Sequence, residues 1–121
     1  MTTTAETGQA GERAATEHLR REGYDIRALN WRQGRYELDI VARKAGIVHF
    51  VEVKTRSNTD MGLPREYVTP AKQRRLKKTA LYYLCEKQLD CPARFDVAEV
   101  YADSPYSREN VRIEYLENAF Q

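Results

Sequence analysis

Tyr36-Glu37-Leu38-Asp39-Ile40-Val41-Ala42, followed across Arg43-Lys44-Ala45-Gly46-Ile47 by Val48-His49-Phe50-Val51-Glu52-Val53-Lys54, is the stretch whose reading decides the fold. Each half alternates polar and apolar residues, the period of a half-buried strand. The short link holds a glycine, so the two halves read as a β-hairpin. Setting Asp39 opposite Glu52 puts Glu37 opposite Lys54 and Val41 opposite Phe50. Directly paired residues share a face of an antiparallel ladder. One face then carries Glu37, Asp39, Glu52 and Lys54, and the other is a core face of Leu38, Ile40, Val51 and Val53. A slip of one residue would bury a carboxylate among apolar side chains, so the loop at 44–47 must be even-numbered or bulged.

Two acids set opposite each other repel, by up to about 1 kcal/mol when exposed and by more when buried. A pair of strands built for stability alone would avoid this. A divalent cation between the acids would reverse the sign.

The chain has 121 residues, enough for one domain with a single core. Its formal net charge is only +2, which by itself specifies no partner. No run is long and apolar enough to span a membrane, and the start at Met1 has neither a basic nor an apolar leader region, so a cytoplasmic protein is expected. Cys85 and Cys91 lack a second Cys or His pair for zinc and are expected to be reduced.

Working outward, residues 1–8 are small and polar and are expected to form a disordered tail ahead of a single domain over 9–121. Gln9 to Glu22 has helical spacing, with Ala15, His18, Leu19 and Glu22 on one stripe and Gly23 as a stop. Glu12 borders that stripe. It reads equally as a helix-dipole acid or as a member of a site. Tyr24 to Trp31 reads as a first strand and Gln33-Gly34-Arg35 as a turn. The breaker-rich segment from Ser57 to Pro64 is a loop that borders any site near Lys54-Thr55-Arg56.

Thr69-Pro70 pairs a capping hydroxyl with proline at the first helical position, and predicts a helix to Glu86 or Lys87. Leu76, Ala80, Tyr83 and Leu84 form its buried stripe. Lys72, Arg74, Arg75, Lys77 and Lys78 cluster at its start. Cations there oppose the helix dipole, which favours a phosphate-binding purpose over a solvated face. Phe95 to Tyr101 and Val111 to Leu116 read as two further strands, with a polar loop from Ala102 to Asn110 between them. The order is helix, three strands, helix, two strands. This predicts an α/β domain: a central mixed sheet of about five strands, with a meander followed by a helical crossover that sets the fourth strand parallel to a neighbour.

Paired carboxylates on rigid strands suit a hard cation such as Mg²⁺ (Mn²⁺ is a close substitute), and Lys54 lies on the same face. Acids, an ammonium and a metal are the ingredients of phosphodiester hydrolysis. His18 and His49 have no evident partners and read as packing or surface residues.

Asp39, a short turn and then Glu52-Val53-Lys54 resemble the PD-(D/E)xK nuclease signature on its hairpin. Glu12 on a preceding helix matches the extra acid of the Holliday-junction-resolvase-like branch. Gly11-Glu12, Glu37-Leu38-Asp39, Phe50 to Arg56, Gly62 with Pro64, Thr69-Pro70 with Lys72, Arg94 to Val97 and Asn118-Ala119-Phe120 resemble the YraN-like family of small bacterial proteins over nearly the whole chain from Gly11. Tyr36 departs from that family's usual glycine, and Leu38 from the superfamily's proline. The resemblance implies a restriction-endonuclease-like fold. It implies that Asp39, Glu52 and the Val53 carbonyl bind metal, that Lys54 orients the attacking water, and that Glu12 supports a second metal or a water. Lys72 and Gln73 would lie near the scissile phosphate, with Arg56 and the α-helical cations on the nucleic acid. Glu37 would be an outer-shell acid or the ion-pair partner of Lys54.

Three functions follow: a Mg²⁺-dependent endonuclease on DNA, with branched or damaged DNA as candidates; a catalytically weak nucleic-acid-binding module; or a protein-interaction adaptor whose acidic face is vestigial. DNA is the expected partner, with no membrane, and a homodimer is left open. Asp39, Glu52 and Lys54 together favour the first over the third, and metal binding separates the first from the second.

Overall fold

Two tight turns set the register of the meander. In the computed structural model, which describes residues 4–57, 68–102 and 111–120, β1 (Asp25–Gln33), β2 (Tyr36–Lys44) and β3 (Ile47–Ser57) are successive antiparallel strands. Ala45 and Gly46 make the second turn at φ 52° and 78°. Positive φ at both central residues is what a two-residue type I′ hairpin requires, and its twist matches that of the flanking strands. The loop is therefore even, as the hydrophobic pattern demands. Val41 pairs with Phe50, and Ile40 with Val51.

α2 (Pro70–Glu86) begins as its sequence predicts. The Thr69 hydroxyl accepts the Lys72 N–H at 3.2 Å, and Pro70 fills a position whose N–H would have no partner. The crossover then lays β4 (Ala93–Ala102) parallel to β3, with Phe50 beside Phe95 and Lys54 beside Glu99. β5 (Val111–Phe120) returns antiparallel to β4, and runs beyond the predicted end at Leu116. The five-stranded sheet has the order β1-β2-β3-β4-β5. With a helix on each side, this is a restriction-endonuclease-like α/β architecture. α1 (Thr4–Arg21) starts ahead of the expected Gln9, so part of the expected tail is helical; Ala5 and Glu6 are good helix formers. The predicted loops at 57–64 and 102–110 lie largely outside the described residues.

The expectation of one core face and one polar face is corrected. Leu38, Val41, Val48, Phe50 and Val97 pack with Leu76, Ala80 and Tyr83 of α2. Ile40, Ala42, Val51, Ala98 and Val100 pack with Ala15 and Leu19 of α1. Both faces of the sheet are buried, because the crossover puts a helix on the side opposite α1. Leu38 and Ile40, two residues apart, join different clusters. The strand's period of two is therefore broken at Asp39.

Asp96 ties three strands together. Its fully buried carboxylate accepts from Asn118 N–H at 2.8 Å and from the Tyr115 hydroxyl, and meets His49 Nδ1 at 2.7 Å. His49 thus has the partner that the sequence did not disclose. The low dielectric that makes an unpaired acid costly makes this satisfied one a strong clamp.

α1 lies close over β3 at Gly11. A Cβ there would stand 2.1 Å from Thr55 Oγ1. Gly11→Ala is therefore expected to destabilise the protein by about 1–3 kcal/mol, the scale of overpacking. Thr55→Ala in the same chain should recover most of that loss. Chemical denaturation of the single and double variants checks this, and two additive losses would refute the contact.

Candidate active site

The β2–β3 ladder ends at Ile40–Val51, where the two strands part. Asp39 stands in the fork, and the Val53 N–H donates to its Oδ2 at 2.9 Å. Continuing the register would place Asp39 opposite Glu52 and Glu37 opposite Lys54, but the ladder does not extend that far. Glu37 instead pairs with Arg32, its β1 neighbour, at 3.3 Å. The expected Glu37–Lys54 pair is corrected for that reason. Half-buried Lys54 forms no ion pair with any described residue.

Glu12 reaches the fork from the middle of α1. Carboxylate oxygens of Glu12, Glu37 and Asp39 lie within 4.8 Å of one another. Glu52 is outside this trio. Its side chain is almost wholly buried, and Lys72 Nζ of α2 holds it at 2.5 Å. Its charge still acts on both Asp39 and Glu12. Both helices thus deliver a charged group to one gap in the sheet.

The electrostatics follow from that crowding. Burial first, then the charge of Glu52, raise Asp39 from 3.8 to about 7, with Glu12 and Glu37 adding to the rise. The Val53 N–H works in the opposite direction. Leu38, Phe50, Leu76 and Phe95 line the pocket beside Asp39 and Glu52, which accounts for the loss of water. Glu12 is raised too, chiefly by burial, while the polar Asn30 side chain works in the opposite direction. Carboxylate oxygens are the ligands that hard divalent ions prefer, and a cation among these acids would offset their mutual repulsion.

The remaining predicted residues are distributed unevenly. Arg74, Arg75 and Lys78 are exposed on α2, and Lys77 is half-buried. Gln73 donates its side-chain amide to the Val68 carbonyl at 2.8 Å, which closes the helix start. Arg56 turns inward. Its side chain is 14% exposed, its Nε is 3.6 Å from Glu99 Oε2, and its Nε and Nη2 are buried without hydrogen-bond partners among the described residues. Sequence reasoning passed over Asn30. The available signal was an asparagine inside a strand, where that residue is depleted.

An α/β fold of restriction-endonuclease type with acids gathered at a fork between β2 and β3 defines the class. Residues 11–100 match the model of the uncharacterised protein family UPF0102, and the chain belongs to that family. It is 49% identical over 113 residues to a UPF0102 protein of Bacteroides fragilis, covering 93% of this chain and 90% of that one. It is 42% identical over 122 residues to a UPF0102 protein of Syntrophus aciditrophicus, covering 100% and 93% respectively. A relative from Caldicellulosiruptor saccharolyticus is 41% identical over 116 residues, covering 95% and 97%. Among the described residues no helix is long and apolar enough to cross a membrane.

Proposed function

We propose that this protein is a metal-dependent endonuclease that hydrolyses DNA phosphodiester bonds, with branched or damaged DNA as candidate substrates. The observation that carries the reading is the convergence of Glu12, Glu37 and Asp39 in the strand fork, with Glu52 close enough to raise Asp39. Self-repelling acids reduce stability unless something binds them. Resemblance to the PD-(D/E)xK signature and to the Holliday-junction-resolvase-like branch supports the same conclusion.

Asp39, Glu52 and the Val53 carbonyl would hold Mg²⁺ or Mn²⁺. The bound cation would supply an acidified water and charge neutralisation at the phosphate. Lys54, half-buried and without an ion-pair partner among the described residues, would orient that water. Glu12 adds a further acid from α1. Lys72 gives Glu52 the positive charge that a metal would otherwise give. An incoming phosphate can draw this ammonium away, which would couple DNA binding to metal binding.

The deciding experiment incubates the protein with supercoiled, single-stranded and four-way-junction DNA in Mg²⁺ or Mn²⁺. Cleavage that chelation abolishes supports the reading. Binding without cleavage under every metal condition would favour the weak-binding module, for which the Lys72–Glu52 pair is the specific argument. Neutralising Arg74, Arg75, Lys77 and Lys78 together should weaken DNA binding and flatten its salt dependence. On duplex DNA the log–log slope should fall by about 0.9 for each phosphate that the protein no longer neutralises. An unchanged slope would reassign these cations to solvent.

A further inference from the structure

The face of α2 turned away from the sheet changes character along its length. Arg74, Arg75 and Lys78 are exposed there, and none pairs with an acid among the described residues. Further along, the same stripe carries Leu81 and Tyr82, at 62% and 46% exposure, and then exposed Cys85. Steps of three and four residues join them into one row: Arg74 to Lys78 to Tyr82, and Lys78 to Leu81 to Cys85. The opposite face, with Leu76 and Tyr83, is buried. Scattered apolar residues on a surface need no explanation, but two large neighbours that extend a row of unpaired cations form a patch. Cations alone suffice for the outside of a duplex, where the backbone is what a protein meets first. An exposed ring in line with cations suits an unpaired strand, whose phosphates the cations track and whose bases the ring can stack on. A second copy of α2 lacks the complementary charge. Laid antiparallel about Leu81 and Tyr82, it would set Lys78 against Cys85 and Arg75 against Gln88, with no acid to meet. Laid parallel, it would set cation on cation.

We propose that this face of α2 binds single-stranded DNA, with Tyr82 stacking on a base while Arg74, Arg75 and Lys78 hold the phosphates. The inference rests on the reading of α2 as a nucleic-acid surface and deepens it to a substrate class, DNA with an unpaired arm. α2 begins beside the acid fork, where Lys72 meets Glu52. From Lys72 to Tyr82 the helix covers roughly 15 Å, at about 1.5 Å per residue. At about 3.4 Å per stacked nucleotide, an arm of roughly four to five nucleotides spans that length.

The test measures binding of a poly-dT strand and of a duplex by fluorescence anisotropy in EDTA, so that neither metal nor cleavage enters. The proteins are wild type, Tyr82→Ala, Tyr82→Phe and the triple variant Arg74→Gln, Arg75→Gln, Lys78→Gln. Tyr82→Ala should weaken poly-dT binding about 5- to 100-fold, the range for losing one stacked base, and change duplex binding by less than about 2-fold. Tyr82→Phe keeps the ring and should bind poly-dT as wild type does. The triple variant should bind both DNAs more weakly. Wild-type poly-dT affinity in Tyr82→Ala, or equal losses on poly-dT and duplex, would overturn the proposal. So would a wild-type dimer that Tyr82→Ala dissociates in sedimentation, since α2 would then serve a second copy. Tyr82-dependent binding of poly-dT supports the proposal even where Mg²⁺ brings no cleavage, a result that would overturn the nuclease reading alone.

Discussion

Lys54→Ala is expected to lower the rate of DNA cleavage by about 100-fold or more, the scale of removing one preorganised electrostatic group. On the proposed function, this ammonium acts mainly in the transition state, where it orients the water and meets developing charge. Metal affinity should hold or rise slightly, since an ammonium is not a ligand and repels the cation. DNA affinity should fall by the worth of one phosphate interaction at most. The competing view, in which Lys54 only balances Glu37, has no partner to rest on: Glu37 is paired with Arg32, and the β2–β3 ladder ends before the two residues could meet. Cleavage rate, Mg²⁺ affinity and DNA affinity are measured on one preparation. A variant that cleaves at the wild-type rate would remove Lys54 from the chemistry.

Asp39→Asn should make the metal-free protein more stable and nearly abolish Mg²⁺ binding. The carboxyl titrates near 3.8 in the unfolded chain and at about 7 in the folded one. Below about pH 4 both states hold the proton, and the group contributes nothing to stability. Between pH 4 and 7 the unfolded chain has released the proton that the folded chain retains, so wild-type stability falls as pH rises. The loss levels off above pH 7, and its full size is about 2–4 kcal/mol, allowing for protons shared among the neighbouring acids. Asparagine removes this dependence and can still accept the Val53 N–H. Denaturation curves from pH 4 to 8 should therefore diverge, with the variant gaining on wild type as pH rises. Saturating Mg²⁺ should reverse the order: at 100 times its dissociation constant a ligand adds about 2.7 kcal/mol to a protein that binds it. Parallel curves would refute the raised Asp39 carboxyl, and equal Mg²⁺ affinity in the two proteins would remove Asp39 as a ligand.

The hairpin, the meander and the parallel fourth strand were legible because each follows from local rules. Alternation gave β2 and β3, the Thr69-Pro70 cap gave α2, and a helical crossover leaves little choice but a parallel neighbour. Leu38 was misplaced because alternation was carried through Asp39, where the folded strand breaks it. That break falls where β2 and β3 part, which is a tertiary fact. Glu37 was given the wrong partner for the same reason: hairpin register was extended past the point where the ladder ends. Asp39 was legible as one of two strand acids and Glu12 as an acid bordering the stripe of α1, but the parting of β2 and β3 beside them was not. The turn of Glu52 toward Lys72 was not, since it requires knowing which face α2 covers. The His49–Asp96 contact joins residues far apart in sequence that only the parallel pairing of β3 and β4 brings together.

Asn30 and Asn118 have left-handed backbone, at φ 51° and 55°, and fall in β1 and β5, the strands at either rim of the sheet. A rim strand has a row of backbone donors and acceptors with no neighbour, a template on which another extended chain could add and from which aggregates grow. Asn30 and Asn118 each bend such a row partway along its length. An incoming strand could match only the short run on one side of the bend before its hydrogen bonds fell out of line. A kink that serves a carboxylate inside the protein, as Asn118 serves Asp96, therefore also leaves its open sheet a poor seed for edge-to-edge growth.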